Sequence, residues 1–319
     1  MVEVATANKS FFLISATVLS SVSGGILLPE IGINVEPYIL LWLGLLLFFN
    51  LLRLDTSKLL LAFTKPGNLA MLSIVKLVVI PLTVYAVMDY VFYPPISTDT
   101  MLSIFLLSGI STGLGSPFVV NFVQAKLPMV VGLIITTSLA VPFVLPAMVF
   151  VLFQSHFLIP IYDMILLLSF ALITPLLASH FIKKYAPAIT TTMERHSLTL
   201  SYAFIFLLNF GVFAKYSHFF FLSPSFVMEN VLIAFALYGT YGFTGYFFAL
   251  LLGMDKQERM SIFIAMTYVN NMLVVVFAQQ FFGEHVAALA AFFNIPYYCG
   301  IVILGITFSR LFRVNRKAV

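Results

Sequence analysis

The sequence predicts an all-α membrane protein of ten transmembrane helices arranged as two inverted five-helix repeats. Three observations predict it: the composition, ten apolar runs parted by short polar breaks, and a one-sided distribution of the cations. Of 319 residues, 61% are hydrophobic and 9% charged, and the mean hydropathy is +1.08. That lies far outside the range of soluble domains. Sixteen Lys/Arg and twelve Asp/Glu are too few to solvate a soluble surface of this size.

The apolar runs cover roughly 10–28, 37–53, 68–92, 101–125, 128–153, 160–182, 197–216, 228–252, 259–282 and 286–311. Each is long enough to cross a hydrocarbon core of ~30 Å at a rise of ~1.5 Å per residue. The first has a charged start, but Pro29 and Glu30 follow it rather than a cleavage site of small residues, so it reads as a retained helix.

Loop charges orient the runs. One face collects Lys9, Arg53, Lys58, Lys65, Lys126, Lys183, Lys184, Arg195, Lys256, Arg259, Arg310, Arg313, Arg316 and Lys317. The other face has only Lys215 among the cations, with Glu30, Glu36, Asp89, Asp99, Asp163, Glu229 and Glu284. The excess of cations marks the cytoplasmic side and puts both termini there, as an even number of spans requires. The basic balance is therefore a membrane-topology signal rather than a nucleic-acid one. The compact form suits a prokaryotic plasma membrane.

Residues 1–155 and 156–319 each hold five runs. Five is odd, so two related halves enter the bilayer from opposite faces, a layout common among secondary transporters. Both halves carry an interruption at matching depth. The fourth run reads SGISTGLGSPFVVNF, with Gly109, Gly113 and Gly115 before Ser116-Pro117. Glycine and proline at this density break a helix. The ninth reads SIFIAMTYVNNMLVVV and holds Thr267, Tyr268, Asn270 and Asn271 at mid-depth. Amides there are costly unless they bind something or satisfy unwound backbone. Paired breaks of this kind point to a transporter binding site, and Ser111, Thr112, Gly113, Ser116, Pro117, Thr267, Tyr268, Asn270 and Asn271 are its candidates.

Lys76 is the other candidate. It lies about ten residues into the third run, ~15 Å deep, where a lysine costs roughly 2.5–3.5 kcal/mol on insertion scales. None of the twelve acids falls mid-span to face it. Further mid-span polar groups are Thr136, Thr137, Ser138, Asn209, Tyr238, Thr240, Tyr241 and Thr244, most of them read as bonded to their own helices. Asn294 to Tyr298 reads as a kink. The single cysteine, Cys299, excludes an intrachain disulfide, and His156, His180, His196, His218 and His285 show no metal-ligand spacing. No paired Asp, Ser-His pair or metal ligands lie at depth for an enzyme, and no phosphate-binding loop serves ATP-driven transport.

The chain resembles the bile acid:sodium symporter superfamily over nearly its whole length. Residues 45–82, LLLFFNLLRLDTSKLLLAFTKPGNLAMLSIVKLVVIPL, are similar to the family's pattern of a helix, a short basic loop with Lys-Pro and a helix ending in proline. Residues 245–262, GYFFALLLGMDKQERMSI, are similar to its junction of the eighth and ninth spans, and Pro142 and Pro146 fit its fifth helix. The resemblance implies panel and core domains drawn from both repeats, broken fourth and ninth helices crossing at the midplane, and sodium and organic anions bound near the crossing. The family's sodium ligands carry over poorly. Pro117-Phe118 stands at its Ser-Asn pair, Phe263 and Thr267 at its ninth-helix glutamate and glutamine, and Lys76 at its third-helix glutamine. A two-residue shift would instead make Asn270 the family's asparagine. Thr136 remains as a hydroxyl ligand for sodium.

The expected function is secondary transport of small or amphipathic organic anions, with no cofactor. Lys76 and Phe263 speak against sodium coupling. A buried ammonium can take a sodium ion's place by donating to carbonyls at the ends of the broken helices, or it can bind the anion itself. A proton-coupled or uncoupled facilitator or channel of the same fold is the alternative.

Overall fold

The computed structural model describes residues 2–53, 64–91, 96–113 and 115–315, with side chains for 12–53, 64–91, 96–113 and 115–304. Lys58, in the short basic loop, and the flanking cations Lys9, Arg310, Arg313, Arg316 and Lys317 lie outside the described side chains. In chain order the main helices are α1 (Val2–Leu27), α2 (Ile39–Leu52), α3 (Pro66–Val91), α4 (Thr98–Gly109), α5 (Ser116–Phe122), α6 (Leu127–Phe153), α7 (Ile161–Tyr185), α8 (Pro187–Lys215), α9 (Pro224–Leu251), α10 (Lys256–Thr267), α11 (Asn271–Phe282), α12 (Glu284–Phe292) and α13 (Asn294–Asn315). Among the described residues, six stretches are long and apolar enough to cross a membrane: α3, α6, α7, α8, α9 and Glu284–Leu304. Phe12–Leu27, Glu36–Leu52 and Asn271–Phe282 are shorter apolar helices.

Both expected interruptions are present. The fourth run divides into α4 and α5 around an extended stretch at Ile110 to Gly113, and Pro117 falls in the first turn of α5, where its missing N–H costs nothing. The ninth run divides into α10 and α11 around Tyr268 to Asn270. The sequence reading missed a third irregularity. Val75–Val79 is a π-helical turn inside α3, in the turn before Pro81, and Lys76 is part of it. Such bulges accommodate a disturbed hydrogen-bond ladder and recur at functional sites. The tenth run also has a turn, at Phe293 between α12 and α13.

The helices pack as two groups. α1, α2, α7 and α8 form one, with a small aromatic cluster of Phe49, Leu52 and Phe204 against which Trp42 packs. α3, α4, α6, α9, α10, α11 and α12 form the other, α5 and α13 attach to it through α6 and α9, and the main core is continuous from this group into α2, α7 and α8. The groups join where α7 lies along α6 and where α11 touches α2 and α7. Each group draws helices from both halves of the chain. The first is held near the acid-rich face by an ion pair of Lys215 with Glu36.

Candidate functional site

The two interruptions meet. Thr112 and Val269 form an antiparallel β-bridge: the Gly113 amide donates to the Tyr268 carbonyl at 2.7 Å, and the Asn270 amide to the Ser111 carbonyl at 3.0 Å. Backbone freed by unwinding one helix is thus satisfied by backbone freed in the other, which permits non-helical chain at membrane depth. The Thr112 amide, turned away from that ladder, donates to Thr137 Oγ1 at 3.1 Å. Glycine at 113 is a steric requirement, because a Cβ there would lie 2.6 Å from the Val269 carbonyl oxygen.

Four half-helices end at this point. α5 and α11 begin here, presenting N-terminal partial positive charge, and α4 and α10 end here with partial negative charge. Lys76 answers one of the negative ends. Its side chain is 0% exposed, its Nζ donates to the Met266 carbonyl in the last turn of α10 at 3.0 Å, and the ammonium sits 5.0 Å from the Tyr241 ring centroid. A cation at a helix C-terminus and over an aromatic face is favourably placed without a carboxylate. Tyr241 is anchored in turn by a 2.7 Å bond with Ser108 Oγ in α4.

The opposite end of α10 is fixed as firmly. Asp255 accepts from the amides of Gln257 and Glu258, and Glu258 Oε2 accepts from the Asp255 amide, a complete capping box. Lys126 pairs with Asp255 and lies 3.8 Å from Glu258, while Lys65 bonds Glu258 at 2.9 Å. The hydrogen bond from Lys126 holds the Asp255 carboxyl below the usual carboxylate range, and the same bond raises Lys126. Burial works against the charge on Glu258, but the bond from Lys65 and its other partners outweigh it and lower its pKa. These ion pairs tie the basic-face ends of α3, α6 and α10 together.

A solvent-open cavity lies between the two helix groups. One wall comes from α2 and α8, with Leu43, Leu46, Leu47, Asn50 and Arg53 facing Leu198, Ser201, Ile205, Leu208 and Asn209. The other comes from the crossing and from α13, with Gly113, Gly115, Asn270, Asn271, Asn294, Tyr297 and Tyr298. Asn271 donates to Asn294 Oδ1 at 2.9 Å, and Asn209 to Tyr298 Oη at 3.0 Å. Asn209 Oδ1 is buried without a partner among the described residues. Beyond the cavity, toward the acid-rich face, the groups touch through Tyr216 Oη donating to Gln279 at 2.9 Å and His218 lying 3.9 Å from Glu284.

The sequence-selected residues therefore divide. Ser111, Thr112, Gly113, Tyr268 and Asn270 come together at the bridge, and of these Gly113 and Asn270 reach the cavity along with Asn271. The Ser111 and Thr112 hydroxyls are buried with no partner among the described residues, whereas Ser116 Oγ donates to the Gly113 carbonyl. Lys76 does not line the cavity, so its ammonium has no approach to a ligand held there. Thr136 is bonded to Ser73 at 2.8 Å and to its own helix, while its neighbour Thr137 faces the crossing. Thr267 donates to the Phe263 carbonyl, an ordinary in-helix bond. Asn294, Tyr297 and Tyr298, expected only to kink a helix, belong to the cavity wall. The stripe on α2 also went unread, although Leu43, Leu46, Leu47, Asn50 and Arg53 recur at helical spacing.

A profile of the Sodium Bile acid symporter family matches residues 40–221, more than half of the chain. The chain belongs to the sodium bile acid symporter family. The match runs from α2 through α8, and so contains the basic loop, Lys76, the first broken run and the α2–α8 cavity wall. Among curated proteins, none matches the chain at a significant level. Membership and the apolar helices make this an integral, multi-pass membrane protein and a symporter-like transporter.

Proposed function

We propose that the protein carries small or amphipathic organic anions by alternating access, with the Lys76 ammonium in the role that a bound sodium ion plays in coupled relatives. The observation that carries this reading is the Lys76–Met266 bond at the crossing of two broken helices. A fixed monovalent cation at the C-terminal end of α10 neutralises the helix end that would otherwise call for an ion from solution. Transport is then proton-coupled or uncoupled rather than sodium-driven. In this reading Gly113, Asn270 and Asn271 form the substrate end of the cavity, with Ser111 and Thr112 buried behind them at the bridge, and Thr136 drops out as a sodium ligand because Ser73 and its own helix already occupy it.

The finer architecture belongs to the same proposal. Ten spans form two inverted five-helix repeats, residues 1–155 and 156–319, with the basic face and both termini cytoplasmic. The antiparallel sense of the Thr112–Val269 bridge supports this, since corresponding spans of inverted repeats run in opposite directions. So does the origin of both helix groups in both halves. The Tyr216–Gln279 and His218–Glu284 contacts favour a carrier closed on one side over an open channel.

The test is uptake of an organic-anion panel into proteoliposomes, with sodium or choline outside and with a pH step, for wild type and Lys76→Gln. The expected result is uptake indifferent to sodium and lost in the variant. Sodium-dependent uptake that survives Lys76→Gln would show Lys76 to be structural.

A further inference from the structure

The cavity is lined by Leu43, Leu46, Leu47, Asn50 and Arg53 from the α2 segment, spaced so that they form one continuous helical stripe. Arg53 ends the stripe one residue beyond the helix and is exposed, at the mouth of the cavity. It is the one ionisable cation in the lining among the described residues; the rest of the wall is aliphatic, aromatic, amide or hydroxyl.

The ordinary duty of a cation here is to satisfy the carbonyls at the end of α2 and to mark the basic face. Lys183 already performs the first, donating from α7 to the Leu51 carbonyl at 3.1 Å. The Arg53 side chain has no hydrogen bond or ion pair among the described residues, and those acids that are paired lie elsewhere, at Glu36, Asp255, Glu258 and Glu284. Its planar fork is therefore available to an oxyanion. A guanidinium at one end of a stripe and leucines along it match a molecule with a charged head and an apolar body.

Resting on the transporter reading above, we infer that Arg53 is the anion-recognising residue of the cavity mouth. It receives the carboxylate or sulfonate of an amphipathic cargo whose apolar body lies against Leu43, Leu46 and Leu47. Arg53 acts on capture and release at the mouth, where a guanidinium in the lining at a low-dielectric opening on the cation-rich face concentrates anions, and not on the helix crossing.

The experiment compares wild type, Arg53→Gln and Arg53→Lys in proteoliposomes. The probes are two carboxylates, cholate and decanoate, each beside its uncharged carboxamide. The expected result is a KM for a transported carboxylate at least tenfold higher in Arg53→Gln, with Vmax within twofold. Arg53→Lys recovers part of the loss, the effect shrinks at high salt, and uptake of the amide is unchanged. A cation serving only as a topological anchor would move acid and amide alike. Unchanged carboxylate KM in Arg53→Gln would overturn the inference while leaving the transporter reading intact. Failure of wild type to bind or move either carboxylate would instead overturn the transporter reading for this class, and this inference with it.

Discussion

Lys76 combines full burial, a carbonyl partner and an aromatic face, and no acid is within bonding reach of it among the described residues. Burying such a group is costly, and an apolar side chain of similar length relieves that cost while giving up the Met266 bond and the charge at the end of α10, so that the relief at least offsets the loss. Lys76→Met is accordingly expected to keep or raise the thermal midpoint in detergent while lowering uptake more than tenfold. A fall in both would make the residue structural. Gly113 is constrained differently. The atoms a Cβ would meet are backbone atoms of Tyr268 and Val269, which cannot swing aside. Gly113→Ala should therefore cost about 1–3 kcal/mol, as overpacking does. Gly239→Ala is the control: nothing lies within 4 Å of its added Cβ, and inside a helix the change should be neutral or stabilising by about 0.5–1 kcal/mol. Equal behaviour of the two in thermal unfolding would remove the steric argument for the crossing. Lys76 and Gly113 were both legible in the sequence, one as a charge at the wrong depth and the other as a helix breaker. The Met266 carbonyl was not, because a backbone acceptor leaves no mark on composition.

α10 shows how a short helix in the middle of a membrane protein is held at both ends. Its start is capped by Asp255 and Glu258 and braced by Lys126 and Lys65, and its end is answered by Lys76. Asp255→Ala removes both cap and ion pair, whereas Asp255→Asn keeps a cap of similar quality. The alanine variant should therefore lose more stability than the asparagine variant, as read from thermal midpoints at neutral pH. The pH dependence has a definite sign. Asp255 and Glu258 have lowered pKa values in the folded chain, so their contribution is present above the unfolded carboxylate range near 4 and is lost as pH falls through the folded values. Lys126 is raised, so its contribution persists across neutral pH and fades only above the ordinary lysine range. A thermal midpoint flat from about pH 6 to 9 and falling below about 4 is expected for wild type. The acid limb should be weaker in Asp255→Asn. At this scale the capping residues, the glycines and Pro117 announced the broken elements. The π turn at Lys76 did not announce itself, because Val75–Val79 reads as ordinary apolar helix and only the neighbouring Pro81 hints at a disturbed ladder.

The two helix groups meet where α7 lies along α6 and where α11 touches α2 and α7, so the rocking that alternating access requires would turn about the α6–α7 seam. On the acid-rich side the closing contacts are Tyr216 with Gln279 and His218 with Glu284. Joining His218→Cys to Glu284→Cys with a short bis-maleimide, in a Cys299→Ser background, should hold that side closed and stop uptake. The unlinked double variant should still transport. Uptake that continues at full rate after linkage would rule out separation of the groups at this point.

Composition, run lengths and the asymmetry of lysine and arginine determined by themselves that the chain is helical and membrane-embedded. Local chemistry located its two breaks, since glycine, proline and paired amides act within a few residues. Whether the breaks would meet, which hydroxyl faced them, and which residues far apart in sequence would share a cavity were decided by packing alone. Thr136 and Thr137 are adjacent and chemically alike, yet the rotation of one helix gives the first to Ser73 and the second to the crossing. Asn50, Arg53, Asn209 and Asn294 lie on three spans, and their common wall exists only because α2, α8 and α13 converge there. A sequence records which groups are costly at a given depth; which partner offsets that cost is settled by the helix that packs against it.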